Sequence, residues 1–254
     1  MTSSPAVGAG LTGLASDWAP WVTEESSHEG EAAQLVIEAP GVLSKISWGW
    51  SRDDLAFAWG RDRSYAELRG KKGALEVALQ LWIQRTLFET GGLMIHGAGG
   101  LYRGEGWLIA GPSGAGKSTA ARVAGFDQVF SDEAVALTPP EAEGEGWRIW
   151  GTPFWSEGRS LPLNSGSAPL NWLIFPQKGA PLRFTPTPPA DSARRVLRAV
   201  FAYRWEVPTE PGLFERSCAL CETIHAGILT VSRFGPWIDE ARALVREGSI
   251  LSES

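Results

Sequence analysis

The chain is short of several things at once. No run approaches the roughly 18 consecutive apolar residues that a membrane span needs, so no membrane association is expected. No Lys/Arg-rich run is present, and the formal net charge is −6 with a pI near 5.2. Nucleic-acid binders neutralise phosphates with basic surface, so a polynucleotide partner is not expected. Met1 to Thr12 lacks the basic-then-apolar order of a secretory signal, and the expected compartment is the cytoplasm. Cysteine is limited to Cys218 and Cys221, three apart, with His225 four further on. On a helix these three share one face, which leaves a partial zinc site or a redox pair open. A second ligand pair is lacking, however, and Phe214, Leu220 and Ile224 favour a packed helix with small buried thiols.

What is present is the composition of an ordinary globular protein. Of the 254 residues, 43% are hydrophobic and 20% charged, enough for one α/β domain with a smaller appendage. Thirteen tryptophans are scattered without period and are expected mainly in packing. Residues 1–32 are rich in Ser, Gly, Ala and Glu and are expected to be mobile, with Trp18 and Trp21 as an anchor. A small β-rich portion, 33–90, follows. Strands are expected at Gln34–Glu38, Lys45–Trp50, Leu55–Trp59 and Tyr65–Leu68, forming an antiparallel unit. Gly73–Glu89 is expected to be helical because Leu75, Leu79, Trp82, Ile83 and Leu87 recur at three- and four-residue steps.

Residues 91–254 form the expected main domain. Strands are expected at Leu93–Ala98, Trp107–Ala110, Phe126–Ser131, Arg148–Trp150 and Asn171–Phe175, with a polar surface loop over Gly158–Ala168. The remainder is expected to be a helical tail, with helices around Ala193–Phe201, over Phe214–His225 and from Pro236 onward.

The strongest local signal is Gly111-Pro112-Ser113-Gly114-Ala115-Gly116-Lys117-Ser118, a full match to the triphosphate-binding P-loop pattern. The glycines let the backbone curl so that successive N–H groups point at phosphate oxygens. A helix starting near Gly116 adds its positive N-terminal end, and Thr119 continues the loop into that helix. Lys117 is placed to reach the outer phosphates and Ser118 to ligate Mg²⁺. The expected cofactors are therefore ATP, with GTP equally compatible, and Mg²⁺.

Two further signals flank the loop. Asp132 and Glu133 follow Lys117 by only fifteen and sixteen positions, at the end of Val129-Phe130-Ser131. A carboxylate at the end of an apolar strand is the usual holder of the Mg²⁺ shell, and so short a return to the sheet argues against large motor and transporter ATPases. On an extended chain the two adjacent acids point opposite ways, one toward the metal and the other toward a substrate hydroxyl. His96 lies on the expected strand before the P-loop strand, fifteen residues ahead of Gly111.

The order His-Gly-Ala, P-loop, short helix, acidic pair resembles the HPr kinase/phosphorylase family, and more closely its shorter HPr-kinase-like relatives. Phosphoenolpyruvate carboxykinases share a similar loop. The resemblance spans Leu93 to Thr152 well and the tail loosely. It implies an α/β P-loop core of HPr-kinase/PEP-carboxykinase type, with His96 near the phosphates, Asp132 as catalytic carboxylate and Glu133 as second acid. The implied activity is ATP-dependent transfer of phosphate to a hydroxyl of a peptide, protein or small molecule. Three histidines, His28, His96 and His225, are too few for a carboxykinase-like lyase. A nucleotide-binding regulator without transfer is the alternative. Arg183, Arg194, Arg195 and Arg204 are candidate cations on the acceptor side, and the sequence leaves a homo-oligomer open.

Overall fold

A computed structural model describes residues 34–38, 50–52, 55–59, 63–68, 73–154, 164–201, 211–231 and 235–251. The mobile segment expected at 1–32, Arg204 and most of the strand expected at Lys45–Trp50 lie outside these residues. The described part is α/β and divides into two units, one before Thr90 and one from Thr90 onward.

In the first unit, strands β1 (Gln34–Glu38), β2 (Trp50–Arg52), β3 (Leu55–Trp59) and β4 (Arg63–Leu68) form a sheet in the order β1-β4-β3-β2. The expected antiparallel unit is in fact mixed, because β1 runs parallel to β4. Helix α1 (Ala74–Glu89) forms where expected, but of the periodic residues only Leu87 is buried, while Leu75, Leu79, Trp82 and Ile83 are half-buried. It places Ala74, Ala78 and Leu81 on one stripe, against Leu55, Phe57 and Ala66 of the sheet.

The second unit is built on an eight-stranded mixed sheet. Its strands are β5 (Leu93–Tyr102), β6 (Glu105–Ala110), β7 (Gln128–Ser131), β8 (Ala134–Thr138), β9 (Arg148–Trp150), β10 (Ser167–Lys178), β11 (Arg183–Pro186) and β12 (His225–Val231). Its helices are α2 (Lys117–Ala124), α3 (Pro189–Leu197), α4 (Pro211–Glu222) and α5 (Ile238–Leu251). Strands β6, β10 and β12 run parallel as neighbours, while β5 pairs antiparallel with β6 over its second half and with β8 over its first. Strand β9 joins β8 to the start of β10. Glycines on β5 permit this crowding: a Cβ on Gly99 would stand 2.6 Å from Ile149 and one on Gly100 2.6 Å from Phe126.

Of the described tryptophans, Trp107, Trp147, Trp172 and Trp237 are buried in the packing, whereas Trp150 is exposed. Trp107 stacks on Trp172 at 4.8 Å and meets Trp237 edge-on at 6.1 Å. Trp237 also donates its indole N–H to the Ala120 carbonyl at 3.0 Å, fastening α5 to the helix after the P-loop. A buried aromatic removes about 150–250 Å² from water, worth on the order of 4–6 kcal/mol at about 25 cal/mol/Å².

Several sequence expectations give way here. The tail is not simply helical, because β11 and β12 complete the sheet beside β10. The helix expected over Phe214–His225 stops at Glu222, and His225 opens β12. The expected loop over Gly158–Ala168 ends in strand, since β10 starts at Ser167. Among the described residues no helix is long and apolar enough to cross a membrane.

Candidate functional site

The parallel strands β6, β10 and β12 all end at one edge of the sheet, and ligands of open α/β sheets bind outside such carboxyl ends. A cleft of about 820 Å³ opens there. Its walls are Ser113 to Ala120 and Arg122 from the loop and α2, Pro176 to Gly179 from the end of β10, Val231 from β12, and His96 and Glu133.

The loop is shaped by its glycines. Gly114 and Gly116 sit at φ 78° and 94°, a left-handed conformation that a side chain penalises by about 1–2 kcal/mol. Gly116 is the residue that hands the loop to α2. Lys117 folds back beneath the loop, where its ammonium donates to the Gly111 and Pro112 carbonyls at 2.9 and 3.1 Å. Gly111 and Pro112 thus hold Lys117 through their carbonyls, while Ser113 to Thr119 line the cleft. Burial pushes the Lys117 pKa down, and the charge of Glu133 opposes that shift. Among the described residues the hydrogen-bond partners of this ammonium are neutral carbonyls.

The acidic pair sits in the bend between β7 and β8. Ser131, fully buried, organises that bend: its hydroxyl donates to the Phe154 carbonyl at 2.9 Å and accepts from the N–H groups of Glu133 and Ala134 at 3.2 and 3.0 Å. The Gly97 N–H donates to the Glu133 carbonyl at 3.0 Å, which brings Glu133 beside the residue after His96. As a result Glu133, not Asp132, stands on the wall of the cleft. Asp132 is only 6% exposed, and its main-chain carbonyl accepts from the Ser118 hydroxyl at 3.4 Å.

His96 Nδ1 lies 3.2 Å from Glu133 Oε1. That hydrogen bond holds the Glu133 carboxyl below its ordinary range against the opposing effect of burial, helped by the charges of His96 and Lys117. The His96 main chain is fixed as well. Its N–H donates to the Ala199 carbonyl at 2.6 Å, and its ring meets Phe201 edge-on at 5.4 Å. Beyond Ala110 the P-loop leaves β5 without its partner β6, and Ala199 to Phe201 take that place beside Met94 to His96.

The structure thus brings Ser113, Gly114, Ala115, Gly116, Lys117, Ser118 and Thr119 together with His96 and Glu133. The donor set suits Mg²⁺, which takes one or two carboxylates and completes its shell with phosphate oxygens and water. Ser118 and the Asp132–Glu133 bend supply that chemistry. Among the described residues no group of three or more His, Cys, Asp or Glu gathers as a self-contained metal site. Cys218 and Cys221 are free, and burial pushes the Cys221 thiol up to about 12. His225 has left their helix and stacks on Trp172 at 4.7 Å, so the expected shared face of these three does not form.

Two residues here carry no sequence signature: Ser131, fully buried in the bend, and Lys178, on the cleft wall. Lys178 ends β10, and its Cε stands 3.6 Å from where a Cβ on Gly116 would be. Its place there follows from the parallel pairing of β10 with β6, which carries both strand ends to the same edge. Of the candidate arginines, Arg183 lies on β11, and Arg194 and Arg195 line a separate cleft beside α3. The chain matches no protein-family model and no curated protein sequence.

Proposed function

We propose that the chain is an ATP-dependent phosphotransferase that moves the γ-phosphoryl group to a hydroxyl of a peptide, protein or small molecule, in the manner of the HPr-kinase-like kinases. One observation carries this reading: a single cleft holds Lys117 and Ser118 at the head of α2 together with the His96–Glu133 pair. A loop that only stored nucleotide would not require a hydrogen-bonded acid–base pair beside it.

The loop amides and Lys117 hold the triphosphate, and Lys178 adds a second cation beside Gly116. Ser118, beside the Asp132–Glu133 bend, would hold Mg²⁺, which would neutralise charge on the phosphate oxygens. Glu133, ionised and held by His96, accepts a hydrogen bond from the acceptor hydroxyl and orients its oxygen toward the γ-phosphorus. The new O–P bond forms as the β–γ bridging bond breaks, ADP carries away the bridging oxygen, and the hydroxyl proton passes to the Glu133 carboxylate. Such transfer depends on positioning and electrostatics more than on covalent chemistry by the protein.

Incubation with γ-labelled ATP and serine peptides tests the reading, with Lys117→Ala as the control. Labelled peptide that disappears in the variant supports it. Tight Mg·ATP binding with no labelled product from peptides, carrier proteins or small alcohols would instead leave a nucleotide-binding regulator.

A further inference from the structure

A second concavity of about 370 Å³ lies beside α3, lined by Thr187, Asp191, Arg194, Arg195 and Arg198. The chain as a whole carries a net charge of −6, yet this cleft sets three guanidinium groups against one carboxylate. Asp191 pairs with Arg194 at 3.1 Å, with both side chains more than half exposed. Such a pair is worth under about 1 kcal/mol and exchanges partners readily. Among the described residues neither Arg195 nor Arg198 has a carboxylate partner. The Arg195 guanidinium is held 5.3 Å over the buried ring of Phe175, which restricts its motion in advance of any ligand.

The position of the cleft also matters. Arg198 directly precedes Ala199, whose carbonyl takes the His96 N–H, and the same segment sets Phe201 against the His96 ring. The arginine row therefore ends beside the strand that carries His96. Phe175, under Arg195, immediately precedes the Pro176–Gly179 wall of the nucleotide cleft.

We infer that this cleft binds an acidic, extended peptide segment of the phosphate acceptor, with Arg194, Arg195 and Arg198 pairing its carboxylates. Calling the occupant an acceptor rests on the phosphotransferase reading above; the binding itself does not. The spacing favours a peptide over a single anion. Arg194 and Arg198 are one helical turn apart, about 6 Å along the axis. Side chains on one face of an extended peptide recur every two residues, at about 6.6–6.8 Å. A row of cations at that pitch matches alternating acids, whereas a lone phosphate would call for donors converging on one point.

The test uses the full chain and a fluorescein-labelled peptide in which Glu and Gly alternate on either side of one Ser, with a Lys-for-Glu counterpart. Anisotropy should show binding of the acidic peptide alone, weakened by added salt. Arg195→Ala combined with Arg198→Ala should weaken it about tenfold, the loss of two charge-assisted contacts. Lysine at both positions should restore part of the affinity, and Lys117→Ala should leave it unchanged. Equal binding of the two peptides, or undiminished binding by the double alanine variant, overturns the inference. So does complete displacement of the peptide by an equal concentration of inorganic phosphate, which would mark a simple anion site. If the acidic peptide binds but is never phosphorylated, the cleft stands as a peptide site and the transferase reading falls.

Discussion

Glu133→Gln is the most informative perturbation of the nucleotide cleft, because the change is small and its neighbours are defined. The amide keeps the volume of the carboxylate, and its oxygen still accepts from His96 across the 3.2 Å contact. The negative charge and the ability to take a proton are lost. Positioned acid–base groups contribute about 10²–10⁴-fold to rate, which at about 1.36 kcal/mol per decade is roughly 3–5 kcal/mol of barrier. Asp132→Asn alters a carboxylate that is 6% exposed and does not line the cleft. Its main-chain carbonyl, the part facing Ser118, survives the substitution. Its expected effect is a stability loss of about 1–3 kcal/mol from a disturbed buried polar group, with transfer by the folded fraction within about threefold of the parent.

The assay is single-turnover transfer of labelled γ-phosphate to a serine peptide, with a fluorescent ATP analogue reporting binding separately. Glu133→Gln should bind nucleotide within about threefold of the parent and transfer it at least about a hundredfold more slowly. Transfer by Glu133→Gln at the parental rate, or a larger loss in Asp132→Asn than in Glu133→Gln, would refute the assignment of Glu133 as the cleft-facing carboxylate.

Three other outcomes are expected. Lys178→Ala, which removes the cation beside Gly116, should weaken ATP binding about tenfold while leaving AMP binding within about twofold, and added salt should shrink the difference; isothermal titration reads both. Trp237→Ala removes a 3%-exposed ring and its bond to the Ala120 carbonyl, so the urea midpoint should fall by an amount equivalent to about 3–5 kcal/mol. The Glu133 carboxyl is held below its ordinary range chiefly by the His96 hydrogen bond, so the stability it contributes is present above that ordinary range and is lost as pH falls through the depressed value; melting temperatures followed from neutral to acid pH should show Glu133→Gln losing part of the acid-side slope.

The elements that were legible in the sequence carry their reasons locally. The three- and four-residue spacing of Leu75, Leu79, Trp82, Ile83 and Leu87 announces α1, though the stripe it packs on the sheet is Ala74, Ala78 and Leu81, and the P-loop glycines announce a strand–turn–helix because only glycine occupies φ 78° and 94° without strain. The missed strands are of another kind. β8, Ala134-Val135-Ala136-Leu137-Thr138, is buried along nearly its whole length, so it shows neither the alternation of a surface strand nor helical period. β12 was hidden because Leu220, Cys221 and Ile224 continue a helical spacing past the true end of α4. That end is made by Thr223, whose N–H and hydroxyl both donate to the Leu220 carbonyl, at 3.2 and 3.0 Å. A threonine competing for a backbone acceptor leaves no trace in hydrophobic periodicity.

The acidic pair shows the same limit at the level of single side chains. Its proximity to the P-loop follows from the short α2 and the immediate return of β7, both legible in spacing. Which of the two acids meets the cleft does not. The expectation that adjacent carboxylates diverge to opposite faces assumes a pleated strand, and the pair stands in a bend. The bend is closed by the Ser131 hydroxyl accepting from the N–H groups of Glu133 and Ala134, while the Gly97 N–H draws in the Glu133 carbonyl. Serine hydroxyls bonding to backbone two or three residues on are ordinary turn makers, but here the turn selects a carboxylate. Glu133 meets His96 because Gly97 and Ser131 both hold its backbone, and Gly97 follows His96 in the chain. The pairing of His96 with Glu133 is therefore set by main-chain geometry on β5 and at the end of β7 before any side chain titrates. That is why either residue can be changed to a neutral isostere with the other still in place.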